Sequence, residues 1–176
     1  MKENKYYAGA DDMIGPFGYR LGWCALNGRS GHEAGRELLK GMYAEIVGGE
    51  LPEILVADRG KPYFSTGKVH FSISHTKGHA FCVLSDRAVG IDAEELDREV
   101  NPRLAEKILS PEELEQYRAA EDQNKALLTF WVLKEAAAKL SGQGLQGYPN
   151  RTNFDLFDPR VQIIDHCLVA VVFDDD

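Results

Sequence analysis

The sequence predicts an α+β fold in which antiparallel strands pack with helices. Three observations carry that expectation. Residues 69–94 hold three successive apolar-polar alternations divided by turn residues, which reads as an antiparallel meander. Two stretches of helical spacing each begin with a serine followed three residues later by a glutamate, the signature of a capping box. Each half of the chain offers both helix and strands, although no strong internal repeat is visible.

Taken in order, residues 19–26 (YRLGWCAL) read as a strand. Ser30 caps a helix with Glu33 at its third position, and Leu38, Leu39, Met42, Tyr43 and Ile46 follow at helical spacing until Gly48-Gly49 stops it. Residues 53–57 form a short strand and 58–62 a loop. In 69–75, Val69, Phe71 and Ile73 share one face while His70, Ser72 and Ser74 share the other. Residues 79–84 return as a hairpin strand, and 89–94 complete the meander. Asn101-Pro102 opens a short helix, Ser110-Pro111-Glu112-Glu113 opens another, and a longer one spans about 125–140 after a break near Asp122. Ser141-Gly142 ends it, and residues 154–157, 161–165 and 167–173 read as closing strands.

With 176 residues the chain forms one domain, or two small halves sharing a core, divided as 1–88 and 89–176. A net charge of −8 excludes a general nucleic-acid binder, which needs a basic surface. The acidic tail Asp174-Asp175-Asp176 accounts for part of the excess. No apolar run approaches the ~18 residues of a membrane span. Met1-Lys2-Glu3-Asn4-Lys5 leads into no apolar segment of the kind a signal peptide requires. The widely spaced Cys24, Cys82 and Cys167 read as reduced core residues, and the expected compartment is the cytoplasm.

The stretch Val89-Gly90-Ile91-Asp92-Ala93-Glu94 is where chemistry can sit. Val89, Ile91 and Ala93 share the core face, and Gly90, Asp92 and Glu94 the opposite one. The glycine permits close approach of a ligand or another backbone. Two neighbouring carboxylates repel unless something positive lies between them, so Asp92 is exposed, paired or metal-bound. On the later helix, Glu135 and Lys139 are four residues apart. They form either a surface pair worth about 0.2–0.5 kcal/mol or part of a site with Asp92 and Glu94. Three carboxylates suit a hard cation such as Mg²⁺.

Three patterns are not the motifs they mimic, and His75 at a strand end next to a turn stays either an exposed turn residue or a ligand contact. Gly142-Gln143-Gly144-Leu145-Gln146-Gly147 matches GxGxxG but follows a helix, whereas the dinucleotide fingerprint follows a strand. His75 and His79 flank Gly78 without the helical context of a zinc pair. Ser74 and His75 are strand neighbours facing opposite ways, so they form no hydrolase dyad.

The order GIDAE, about forty residues, then W-x-x-K-E-A-x-x-K resembles the phosphopantetheinyl transferases, here Gly90 to Glu94 and Trp131 to Lys139. Gly60-Lys61-Pro62 resembles the family's GKP, Phe71 to Thr76 its F-N/S-I/L-S-H segment, and Arg36 lies in a basic-then-leucine helix like the one that precedes them. A GKP and SISH half ahead of the GID acid resembles the longer, Sfp-like type rather than the short trimeric type. That type implies a monomer of two similar halves related by a pseudo-twofold axis. The family's basic N-terminal region is compressed here, which bears on nucleotide affinity, and Arg29 is a candidate replacement.

The resemblance implies transfer of the 4′-phosphopantetheine arm of coenzyme A to a serine of an apo acyl or peptidyl carrier protein. Asp92, Glu94 and Glu135 would bind Mg²⁺, and Lys139 would hold the pyrophosphate. Lys134 would lie beside the reacting phosphate, with Glu135, Asp92 and Lys134 the catalytic set. Ser74 and His75 would contact phosphates of coenzyme A, Lys61 and Pro62 would border the adenine, and Arg36 would meet the 3′-phosphate. The carrier would dock on an apolar patch from the helices of 102–117. Competing classes are a non-catalytic coenzyme A-binding module, an Mg²⁺-dependent phosphohydrolase and a plain interaction protein.

Overall fold

The computed structural model describes residues 5–8, 18–144 and 152–174. Met1 to Asn4, the end of the glycine run (Leu145, Gln146, Gly147), and Asp175 and Asp176 of the tail lie outside the described residues. The chain runs β1 (Lys5–Ala8), β2 (Tyr19–Ala25), α1 (Gly31–Ile46), β3 (Ile54–Val56), β4 (Pro62–Phe64), β5 (His70–His75), β6 (His79–Ser85) and β7 (Val89–Glu95). A 3₁₀ turn (Pro102–Leu104), α2 (Ala105–Ile108), α3 (Pro111–Ala119), α4 (Gln123–Ser141), β8 (Val161–Ile164) and β9 (Cys167–Phe173) complete it. The fold is α+β, with antiparallel pairing in every sheet.

The capping chemistry forms as the sequence predicts. Ser30 with Glu33 and Ser110 with Glu113 both close reciprocal boxes, and Asn101 caps the turn that Pro102 opens. The long helix starts two residues early, at Gln123, because the Asp122 side chain accepts from the Lys125 amide. It stops at Gly142, which takes the left-handed conformation at φ 69°.

One sheet has the order β1-β2-β6-β5 and another β7-β9-β8, with β3-β4 a separate hairpin. Leu38, Leu39 and Met42 of α1 cover one face of the first sheet through Cys82, Leu84 and Phe71. The other face of that sheet, with Leu21, Phe81 and Val83, packs on Val89, Ile91 and Val169 of the second. Leu168, Ala170 and Val172 on the far face of the second sheet pack on α4. The layers therefore run helix, sheet, sheet, helix. In both halves a strand leads through helix into a hairpin, whose last strand pairs with the first.

The predicted meander does not form. β7 leaves the hairpin and pairs with β9 instead. It lies alongside β5, and two hydroxyls join these edge strands. The Ile91 amide donates to Ser72 Oγ at 3.1 Å, and the Ala93 amide donates to Ser74 Oγ at 3.2 Å. Side chains thus satisfy edge amides that a ladder would otherwise satisfy. Residues 154–157, expected as a strand, form a turn. The amides of Phe154 and Leu156 donate to the Glu113 and Gln116 side chains of α3, which leaves no ladder to join. The strands β1 and β4 were not expected, and Asp165 belongs with His166 to a turn with φ of 44° and 65°, as a two-residue hairpin requires.

Gly90 fixes how α4 meets the second sheet. A Cβ there would lie 2.0 Å from the Ala136 carbonyl oxygen and 2.7 Å from the Leu140 nitrogen. The close approach expected at this glycine is therefore made by a helix backbone. Gly90→Ala should destabilise the fold by about 1–3 kcal/mol or more through overpacking, lowering Tm by about 2–4 °C per kcal/mol. Gly67→Ala, which meets nothing within 4 Å, serves as the control in the same thermal melts. Equal melting of both variants would contradict the close-packing account.

Candidate active site

The seating of α4 on Gly90 sets Glu135 and Lys139 over the polar face of β7. Asp92 is 6% exposed, and its Oδ1 accepts from Lys139 Nζ at 2.8 Å and from Ser74 Oγ at 3.0 Å. Its Oδ2 is buried without a hydrogen-bond partner. Asp92 is thus paired, with one oxygen left unsatisfied. Glu135 is half-buried, and burial together with the Asp92 and Glu94 charges pushes its carboxyl up to about 7 against the opposing pull of Lys139 and Arg98. Asp92 and Glu94 therefore sit close enough to oppose the ionisation of Glu135.

Glu135 and Lys139 also line a cleft of about 280 Å³ with Ser72, Lys61, Pro62 and Arg59. The cleft joins α4 to the β3-β4 hairpin. Lys61 is half-buried and donates to the Leu140 carbonyl at 2.5 Å, capping the end of α4. Burial pushes its ammonium below the usual value. Among the described residues, no three Asp, Glu, His or Cys side chains close into a metal cage. Glu94 is drawn to Arg98, and Lys139 occupies one oxygen of Asp92. The donor chemistry still suits a hard divalent cation: carboxylate oxygens, one of them orphaned, and a carboxyl whose ionisation its neighbours resist.

The family model described as "4'-phosphopantetheinyl transferase superfamily" matches residues 88–168, the stretch that carries Asp92, Glu94, Glu135 and Lys139. Over that stretch the chain is similar to the 4′-phosphopantetheinyl transferase superfamily. It is 31% identical over 122 residues to the 4'-phosphopantetheinyl transferase HetI of Nostoc sp., covering 64% of this chain and 52% of that protein. It is 32% identical over 88 residues to the 4'-phosphopantetheinyl transferase gsp of Aneurinibacillus migulanus, covering 49% and 36%. A 4'-phosphopantetheinyl transferase of Bacillus subtilis is 30% identical over 93 residues, covering 51% and 41%. The chain spans about half or less of the length of these relatives.

Not every residue singled out for the superfamily's chemistry reaches the cleft. Lys134 does not. It is 3% exposed, and its Nζ bonds Glu113 at 2.8 Å and the Thr152 carbonyl at 3.0 Å. Glu113, itself fully buried, also accepts from the Ser110 and Phe154 amides. One helical step of about 100° separates Lys134 from Glu135 and turns it into the core of the second half. Arg36 is half-buried midway along α1, where its charge acts on the buried Cys82 thiol, and it does not line the cleft. His75 is exposed at the end of β5, with its ring where a Cβ on Gly31 would stand. Arg29 is engaged by Glu37 and by the carbonyls of Leu26 and Ala25.

The apolar docking patch expected from 102–117 is also absent. Ala105, Ile108, Leu109 and Tyr117 are buried in the core, while Arg103, Glu106, Lys107, Glu112 and Glu115 face outward. Arg59 and Ser72 belong to the cleft without having been singled out. Alternation had put Ser72 on the correct face, but a loop arginine carries no periodicity.

Lys134→Met should cost about 3–5 kcal/mol in urea unfolding, because it strands the buried Glu113 carboxylate. Wild-type stability with lost chemistry would return Lys134 to the site. Glu135 gives a second expectation. The native state holds its proton up to about pH 7 while the unfolded chain releases it near pH 4.5, so the native state binds more protons between those values. Stability should fall across that window as pH rises. Glu135→Gln should remove the fall, matching wild type below about pH 4.5 and exceeding it above 7 in metal-free melts. Parallel pH profiles would contradict this placement of Glu135.

Proposed function

We propose that the protein transfers the 4′-phosphopantetheine arm of coenzyme A to a serine of an apo acyl or peptidyl carrier protein, releasing 3′,5′-ADP. The observation that carries this reading is the clamped Asp92 with its orphaned oxygen beside Glu135, on the wall of a cleft that also holds Lys61 and Lys139. The length shared with named relatives, and a charge of −8 that disfavours nucleic acid, support it.

Asp92, Glu94 and Glu135 would hold Mg²⁺. Recruiting Glu94 would give up its partly exposed pair with Arg98, of a kind worth about 0–1 kcal/mol. When bound, the ion supplies charge neutralisation at the pyrophosphate. The carrier serine loses its proton to Glu135, or to a water that Glu135 orients, and its oxygen attacks the β-phosphate. Lys139 offsets the charge that grows on the departing 3′,5′-ADP. Lys61 and Pro62 border the adenine, while Arg36 and His75, which lie outside that cleft, would meet phosphates of coenzyme A that extend past it. Catalysis is then mainly positioning and electrostatics.

The halves 1–88 and 89–176 would be related by a pseudo-twofold axis, as in the Sfp-like type. Their shared strand-helix-hairpin order supports this, and a monomer follows from it. Buried free cysteines support a reducing, cytoplasmic setting, and among the described residues no helix is long and apolar enough to cross a membrane.

Incubation with Mg²⁺, coenzyme A and a panel of apo carrier proteins, followed by intact-mass measurement, should show one carrier gaining the arm. Asp92→Ala and Glu135→Ala should each lower transfer about a hundredfold or more while remaining folded. Lys139→Ala should mainly raise the KM for coenzyme A. Near-normal turnover by either acid variant at saturating Mg²⁺ would contradict the assignment. Phosphate release without a carrier would select a phosphohydrolase.

A further inference from the structure

We propose that Ser74 is a positioning residue for Asp92, its hydroxyl spent inside the protein rather than on a phosphate of coenzyme A. A serine hydroxyl has one proton to donate and two lone pairs to accept with. The Ser74 proton goes to Asp92 Oδ1 at 3.0 Å, and one lone pair takes the Ala93 amide at 3.2 Å. The side chain is 5% exposed. An anionic phosphate needs a donor, and this hydroxyl has none left.

Ser72 shows what is particular to Ser74. It lies on the same face of β5 and accepts from the Ile91 amide at 3.1 Å in the same way. Ser72 therefore serves the junction between β5 and β7, and Ser74 serves the junction and the carboxylate together. Lys139 donates to the same Asp92 oxygen at 2.8 Å. Two donors from different halves of the fold thus fix Oδ1 and hold the carboxylate in one rotation. Oδ2 is left buried and without a partner, as the open oxygen. Of the two donors, only Ser74 is neutral, so it orients the carboxylate without competing as a charge for a cation. This assignment rests on the divalent-ion reading given above, and it makes Ser74 an outer partner of that ion.

The test uses Mn²⁺ as probe and the full chain without coenzyme A. Ser74→Ala should weaken Mn²⁺ affinity by tenfold or more, the range typical of outer partners. Ser72→Ala should lower Tm by a similar amount and leave Mn²⁺ affinity within twofold, which a merely structural role for Ser74 would not predict. Ser74→Thr, which keeps the hydroxyl, should recover most of the affinity. Coenzyme A affinity measured in EDTA should be unchanged in Ser74→Ala. If Ser74→Ala does not fold, Ser74→Cys carries the same expectation with a weaker donor. Lost coenzyme A affinity in EDTA with Mn²⁺ affinity intact would overturn the proposal. Crystal structures of metal-free wild type and variant should show the Asp92 carboxylate rotated in the variant, and an unrotated carboxylate would also overturn it. If wild type binds no Mn²⁺, the divalent-ion reading fails, and the metal-free structures still decide the role of Ser74.

Discussion

The contact of α4 with β7 at Gly90 is the constraint from which the rest of this structure follows. No Cβ fits there, since the Ala136 carbonyl oxygen would stand 2.0 Å from it. Helix and strand backbones therefore meet directly. That proximity sets residues one step from Ala136 and Leu140, namely Glu135 and Lys139, against Asp92 two residues along the strand. A β-branched or even a methyl side chain at position 90 would lift the helix and separate the charges. The chemistry of the cleft is thus a consequence of backbone packing, and the glycine is as much a part of the site as the acids.

A second device keeps the two sheets in register. Edge strands β5 and β7 belong to different sheets, and serine hydroxyls join them where a ladder might have formed. The junction needs small side chains with an acceptor oxygen, which explains serines at alternate positions of β5. One of them reaches the carboxylate that Lys139 holds from the other side. Charge balance at the seam follows: Asp92 is offset by Lys139, while Glu135, half-buried between two carboxylates and two cations, keeps its proton to about pH 7.

Much of this was legible in the residues, and the failures have identifiable causes. Local rules worked where local chemistry decides. Ser30 with Glu33, Ser110 with Glu113, and the stop at Gly142 all behave as capping rules require. Alternation placed Gly90, Asp92 and Glu94 on one face and both β5 serines on another. Pairing partners were not legible, because β7 passes over its hairpin neighbour to join β9, some 80 residues on. Residues 154–157 have strand-like composition, but α3 side chains claim their amides. Lys134 sits within a charged motif whose spacing says nothing of which member turns inward, and its burial is set by Glu113, distant in sequence.

Similarity to the 4′-phosphopantetheinyl transferase superfamily over residues 88–168 and the geometry of the seam make the same demand: acids from a strand and from a distant helix must act as one unit. Carboxylate ¹³C NMR of the metal-free protein titrated with substoichiometric Mn²⁺ tests that demand most directly. The account predicts that the side-chain signals of Asp92, Glu94 and Glu135 broaden together, ahead of every other carboxylate. Broadening confined to surface acids such as Asp174, or Asp92 left sharp while others broaden, would contradict it.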